Sequence, residues 1–93
     1  MPSLALRDGG LILYMFYVYI IKSEVADELY TGYTSDLQKR LKDHNYGKSR
    51  HSNKFRPWKL IMYCAFENKE KAREFERYLK TGSGIAFARK HLL

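Results

Sequence analysis

Two tyrosine-centred triplets, Tyr17-Val18-Tyr19 and Tyr30-Thr31-Gly32, stand close together near the start of this chain. Arg40 and His44 follow in a helix-coded stretch, and Glu76 lies in a later one. Two phenols, a guanidinium, an imidazole and one carboxylate suit hydrolysis of a phosphodiester around a single metal ion. The planar fork of an arginine matches the nonbridging oxygens of a phosphate and opposes the charge that grows in the transition state. A single carboxylate completed by waters and phosphate oxygens is a common way to hold Mg²⁺. A neutral phenol is a poor base, because its reference pKa is about 10. Lowering that value by three units takes about 4 kcal/mol of differential stabilisation. His44, one helical turn from Arg40, is placed to accept or hold such a proton.

Each of these residues also has a plain structural role. The tyrosines read as packing aromatics in strands. Arg40 can pair with Asp36 or Asp43, and His44 can serve as a cation at a helix C-terminus. Glu76 can form an i,i+4 pair with Lys80, worth about 0.3–0.5 kcal/mol. Cys64, in the apolar run 60–66, reads as inert strand packing.

The elements that must position the site follow from pattern. Phe16 to Ile21 is β-branched and aromatic at both alternating sets of positions, so it reads as a strand covered on both faces. Ser23 to Glu28 is a polar connection, and Leu29 to Tyr33 is the returning strand of a hairpin. Ser35 as N-cap and Gln38 three residues on form a capping box, opening a helix that runs to about His44. Gly47 to Pro57 is a basic polar loop with room for one short helical turn. Trp58 to Phe66 is a third strand. Asn68 caps a second helix with Ala72, Phe75 and Leu79 on one face. Gly82 reads as its C-cap, and Ser83 restarts a short terminal helix. The order β-β-α-β-α-α predicts an α+β fold, a small three-stranded sheet flanked by helices.

Composition narrows the class. A chain of 93 residues buries only roughly 60–65% of its unfolded surface, which leaves room for one core. The 45% hydrophobic and 15% aromatic content argues against disorder. One cysteine and no CxxC point to a reducing cytoplasm. No run approaches the ~18 apolar residues of a membrane span. Residues 1–14 differ from the rest and read as an extension, either a loosely held arm or the product of an upstream start site, with the domain occupying 15–93. The formal net charge is +7. Its excess lies between Lys39 and Lys59, where Lys39, Arg40, Lys42, Lys48, Arg50, Lys54, Arg56 and Lys59 are opposed only by Asp43. A stretch of one sign marks a polyanion footprint more often than a solvated face.

The triplets Tyr17-Val18-Tyr19 and Tyr30-Thr31-Gly32, with Leu37-x-x-Arg40 and Glu76-x-x-Leu79-Lys80, resemble the signature of the GIY-YIG nuclease superfamily in order and spacing. Asn45, Gly47-Lys48, Arg56-Pro57 and Lys80-Thr81-Gly82-Ser83-Gly84 extend the resemblance across residues 15–92. The chain is similar to the small single-domain bacterial proteins likened to the N-terminal nuclease domain of the bacterial excinuclease. The resemblance implies a metal-dependent endonuclease acting on DNA, in repair or recombination, with one Mg²⁺ or Mn²⁺ ion. It implies catalytic roles for Tyr19, Tyr30, Arg40 and His44, and a metal-binding role for Glu76. Gly32 would leave room for a phosphate to approach the backbone, and Lys48, Arg50, Lys54 and Arg56 would hold the flanking strand. With no recognition domain in these 93 residues, a partner protein is expected to choose the target. Two departures bear on catalysis. Tyr33 stands where several family members carry a lysine, which shifts weight onto His44. No asparagine occurs after Asn68, so Asn45 or Asn53 substitutes for the one that orients the site elsewhere, or this branch does without. The rival reading is a nucleic-acid-binding module that keeps the nuclease fold with little or no turnover.

Overall fold

The computed structural model describes residues 3–6, 12–47 and 53–93. In chain order the elements are β1 (Ser3–Leu6), β2 (Ile12–Ser23), β3 (Leu29–Thr34), α1 (Leu37–Asn45), a 3₁₀ turn (Asn53–Phe55), β4 (Trp58–Phe66), α2 (Lys69–Leu79) and α3 (Gly82–His91). β2 is the central strand, paired antiparallel with β3 along Tyr17–Lys22 and with β4 along Phe16–Ser23. Its first residues pair with β1, Leu6 opposite Ile12 and Ser3 opposite Met15. The central strand therefore begins before Phe16, and part of the 1–14 segment forms an added strand on the three-stranded core sheet.

Both sets of alternating residues on β2 are buried, because helices cover both faces. Val18 and Ile20 pack with Ala72, Leu79 and Ala88, on the face that α2 and α3 cover. Tyr19 and Ile21 pack with Trp58, Leu37 and Leu41, on the face that α1 covers. Each fully buried aliphatic side chain contributes about 1.5–3 kcal/mol.

A bulge decides which residues of β4 reach the second face. Met62 lies opposite Ile20, yet Leu60 lies opposite Ile21, leaving Ile61 as the extra residue. Leu60 and Met62, two apart, thus fall on opposite faces, as the extra residue of a bulge allows. Met62 joins the α2–α3 layer, while Leu60 and Trp58 join the α1 layer.

Two helix ends differ from the sequence expectation. Asp36, not Ser35, is the N-cap of α1, and its Oδ1 accepts the Lys39 amide at 3.2 Å. Thr34 moves the start by one residue: its hydroxyl accepts the Asp36 amide at 3.0 Å and donates to the Asp36 carbonyl at 3.1 Å. At the other end, α2 stops at Leu79, and Thr81 rather than Ser83 opens α3. The Thr81 hydroxyl donates to the Tyr78 carbonyl at 2.7 Å and accepts the Gly84 amide at 3.1 Å, which joins the two helices. Gly82 is consequently the first residue of α3 and not the cap of α2. Asn68 caps α2 as expected, accepting the Lys71 amide at 2.9 Å. Among the described residues, no helix is long and apolar enough to cross a membrane.

Candidate active site

The hairpin register brings the two tyrosines together. Tyr19 lies opposite Gly32 and Tyr30 opposite Ile21, so the phenols are diagonal neighbours on the α1 face. Their ring centroids are 6.3 Å apart. The Tyr19 ring lies across the strand over Gly32. A Cβ at that position would stand 2.5 Å from Tyr19 Cζ and 2.9 Å from Cε1. The space left by the glycine is filled by the phenol and does not stand open for a phosphate, which corrects the role expected for Gly32.

α1 delivers the other two groups. His44 is fully buried, and its Nε2 is 2.8 Å from the Tyr19 hydroxyl. Its ring is edge-on to Tyr30 at 4.9 Å and lies 6.4 Å from Trp58. Burial, then the Arg40 charge, push the His44 pKa down to about 4. It is thus a neutral imidazole at pH 7 and not the helix-terminal cation its position suggested. With Nδ1 protonated, a neutral ring would offer Nε2 as the acceptor for the Tyr19 hydroxyl.

Arg40 turns toward the phenols. Asp43 pairs with Lys39 at 3.3 Å, and Asp36 is used as a helix cap, so neither acid captures the guanidinium as the surface reading supposed. Burial works against the Arg40 charge, but its interaction with the nearby Tyr19 and Tyr30 phenols outweighs that and raises its pKa. Burial dominates at Tyr19, whose pKa is pushed up to about 12 despite Arg40. The resting site therefore holds a neutral phenol, not the acidified one that a simple general base needs. A groove of about 410 Å³, lined by Thr34, Ser35, Asp36, Lys39, Arg40 and Asp43, opens beside the guanidinium.

Glu76 comes from α2, on the far side of the sheet, and still acts electrostatically on Tyr19 and Tyr33. Its side chain is 17% exposed, and Lys80 Nζ holds Oε2 at 2.8 Å. Among the described residues no group of three His, Cys, Asp or Glu side chains could hold a metal. The donor set at this site is one hard carboxylate, which fits a mostly hydrated Mg²⁺ and not zinc.

Two contributors escaped the sequence reading. Trp58 closes the aromatic wall around His44 and Tyr30, and its backbone is clamped by Asn45: Trp58 N–H donates to Oδ1 at 2.5 Å, and Nδ2 donates to the Trp58 carbonyl at 3.1 Å. That double bond commits the Asn45 amide to joining α1 with β4, away from any substitute catalytic role. The only hint was a lone tryptophan directly after Arg56-Pro57. Arg73, three residues before Glu76, places its guanidinium over the Tyr33 ring at 5.3 Å. It occupies the neighbourhood where the sequence lacks a lysine.

The basic loop is only partly in view. Lys48 and Arg50 lie outside the described residues. Lys54 sits over the Phe55 ring at 5.1 Å, and Phe55 meets Trp58 edge-on at 6.4 Å. Arg56 is exposed, with its guanidinium folded against Gly47, whose φ of 77° ends α1.

Comparison with known proteins agrees with the fold. A Clostridium perfringens UPF0213 protein is 45% identical over 67 residues, covering 71% of each chain. A Streptococcus pyogenes serotype M5 UPF0213 protein is 46% identical over 66 residues, covering 69% of this chain and 70% of its own. The solution NMR structure of a UPF0213 protein from Bacillus halodurans superposes with a TM-score of 0.51 at 32% identity, over 82% of this chain and 81% of that one. Residues 15–85, which contain both tyrosine triplets, Arg40, His44 and Glu76, match the GIY-YIG catalytic domain, and the chain belongs to the GIY-YIG family.

Proposed function

We propose that this protein is a divalent-metal-dependent endonuclease that hydrolyses phosphodiester bonds in DNA. The observation that carries the reading is the Tyr19 hydroxyl, bonded to His44 Nε2 at 2.8 Å beside Arg40, with Tyr30 and Glu76 within electrostatic reach. Glu76 would hold one Mg²⁺ or Mn²⁺. When bound, that ion supplies a positive charge to the phosphate oxygens and acidifies water.

The chain's own groups supply positioning and proton transfer. Arg40 binds a nonbridging oxygen and offsets the charge developing there. A pKa of about 12 makes a free Tyr19 phenolate inaccessible near neutrality. A relay avoids it: Tyr19 accepts the proton of the attacking water as it passes its own to His44 Nε2, so the phenol stays neutral. The new phosphorus–oxygen bond forms as the bond to the leaving oxygen breaks, and the low proton affinity of buried His44 favours return of the proton to that oxygen. Tyr30 keeps Arg40 aligned. Lys48, Arg50, Lys54 and Arg56 hold the flanking backbone without reading sequence.

Such an enzyme suits repair or recombination in the cytoplasm, guided to its target by a partner protein. A nicking assay on plasmid and branched DNA with Mg²⁺ or Mn²⁺ tests the reading: the wild type cuts, and folded Glu76→Ala does not. Unchanged nicking by that variant removes the mechanism. The second reading is binding without turnover, favoured by the Lys80–Glu76 contact and by the raised Tyr19 pKa. It predicts no metal-dependent cleavage, with a log–log salt slope near −3.6 if about four phosphates are engaged.

A further inference from the structure

A second cavity, outside the proton relay, lies on the α2–α3 side of the sheet. It is a groove of about 510 Å³ between the start of β3, the end of α2 and one side of α3. That volume falls within the roughly 300–1,000 Å³ of small-ligand pockets. Its floor is apolar, made by the buried side chains of Ile20, Leu79 and Ala88. Its lining also carries two cations, Lys80 and Arg89, and one carboxylate, Asp27. An apolar slot with cations beside it suits a flat, weakly polar group attached to an anion, which is the chemistry of a nucleobase on its phosphate. Asp27 offers an acceptor for an amino group on a base edge.

The groove is continuous with the candidate active site. Tyr30 and Thr31 of its lining precede Gly32 on β3, a strand paired along one side only among the described residues. Thr31 lies opposite Ile20 and so belongs to the α2–α3 face, while Tyr30 belongs to the other. Lys80 lines the groove and also binds the Glu76 carboxylate. One edge of one strand thus separates the place for a scissile phosphate from the place for a base.

We propose that this groove receives the base of one unpaired nucleotide adjoining the phosphodiester held at Arg40 and Glu76. The substrate is then DNA with an unpaired nucleotide beside the cut, a specificity that rests on the endonuclease reading. A base stacked in a duplex has both faces covered and cannot enter; one already unpaired enters without the cost of extrusion. Lys80 and Arg89 meet the phosphates on either side of that nucleotide.

The test measures binding in EDTA, where hydrolysis is silent, to a duplex carrying a one-nucleotide 2-aminopurine bulge and to its fully paired counterpart. The bulged duplex binds roughly tenfold tighter or more, the discrimination a fitted apolar pocket gives, and the 2-aminopurine emission changes. Ile85→Trp fills the groove from its exposed α3 wall; it abolishes the preference and leaves paired-duplex binding unchanged. Arg89→Ala, an exposed change outside the catalytic groups, weakens the bulged duplex selectively and serves if Ile85→Trp does not fold. Equal binding of the two duplexes by wild type, or a preference untouched by both variants, overturns the proposal. A concentration-dependent dimer lost in Ile85→Trp, with no discrimination between duplexes, assigns the groove to a second copy instead and overturns it too. The two readings separate cleanly. Cleavage of both duplexes at one rate sinks the base pocket and keeps the nuclease, whereas bulge preference with no cleavage under Mg²⁺ or Mn²⁺ does the reverse.

Discussion

Consecutive residues of β2 build two layers with opposite chemistry. Val18 and Ile20 enter an apolar layer with α2 and α3, while Tyr19 and Ile21 enter a layer with α1 that also buries His44 and flanks Arg40. All four β2 side chains are at most 2% exposed, so burial alone does not distinguish the layers. Hydrogen bonding does. A buried phenol and imidazole are tolerable only as partners, and among the described residues no buried side-chain nitrogen or oxygen lacks one. The first layer is held together by apolar packing. The second accepts a desolvation cost, visible as the opposed pKa shifts of Tyr19 and His44, in return for a placed donor and acceptor.

The contrast breaks most sharply at Tyr19. Tyr19→Phe keeps the ring over Gly32 and removes only the hydroxyl; plasmid nicking should fall by about 10²–10⁴, as for loss of a proton-transfer group. Circular dichroism should show the fold intact. If nicking survives, the α1 layer is merely a second core. One residue away, Val18→Ala should do the opposite, lowering unfolding free energy by about 1–3 kcal/mol in urea. The rate per folded molecule should be unchanged.

The pH dependence of stability probes the same difference more gently. Below pH 6.5 an unfolded histidine takes up a proton that buried His44 refuses until about pH 4. Its contribution to stability is therefore complete above pH 6.5 and is lost as pH falls toward 4, by about 3 kcal/mol. Urea midpoints measured from pH 7 to pH 4 should show the decline, and His44→Gln should flatten it. The smallest effect belongs to Lys80, whose side chain is 52% exposed. Lys80→Ala should cost only about 0.3–0.5 kcal/mol in unfolding free energy. In nicking titrations it should lower the Mg²⁺ concentration needed, because Glu76 loses a competing cation.

Much of this arrangement was legible in order and periodicity. The dense apolar run at Phe16–Ile21 announces a strand covered twice, and Asn68 marks the start of α2. Arg40 and His44 one turn apart already share a helix face. Local pattern could not reveal that Asp36 would outcompete Ser35 as a cap, because the deciding group is the Thr34 side chain held in its own turn. Nor could it show that Gly32 accommodates a ring from the next strand, since that contact exists only once the register is set. Trp58 escaped notice because its partners, Asn45, His44 and Tyr30, are distant in sequence.

The residue types, their order and the basic excess were properties of the chain itself, because hydrophobic period, capping chemistry and charge are local. Which phenol carries a raised pKa, which acid binds Lys39 or Lys80, and which face of β4 holds Trp58 were decided by the fold. Those outcomes depend on desolvation, a one-residue bulge and hydrogen bonds spanning 25 residues or fewer between helix and strand. Free energies of that kind come into being only when distant segments exclude water together.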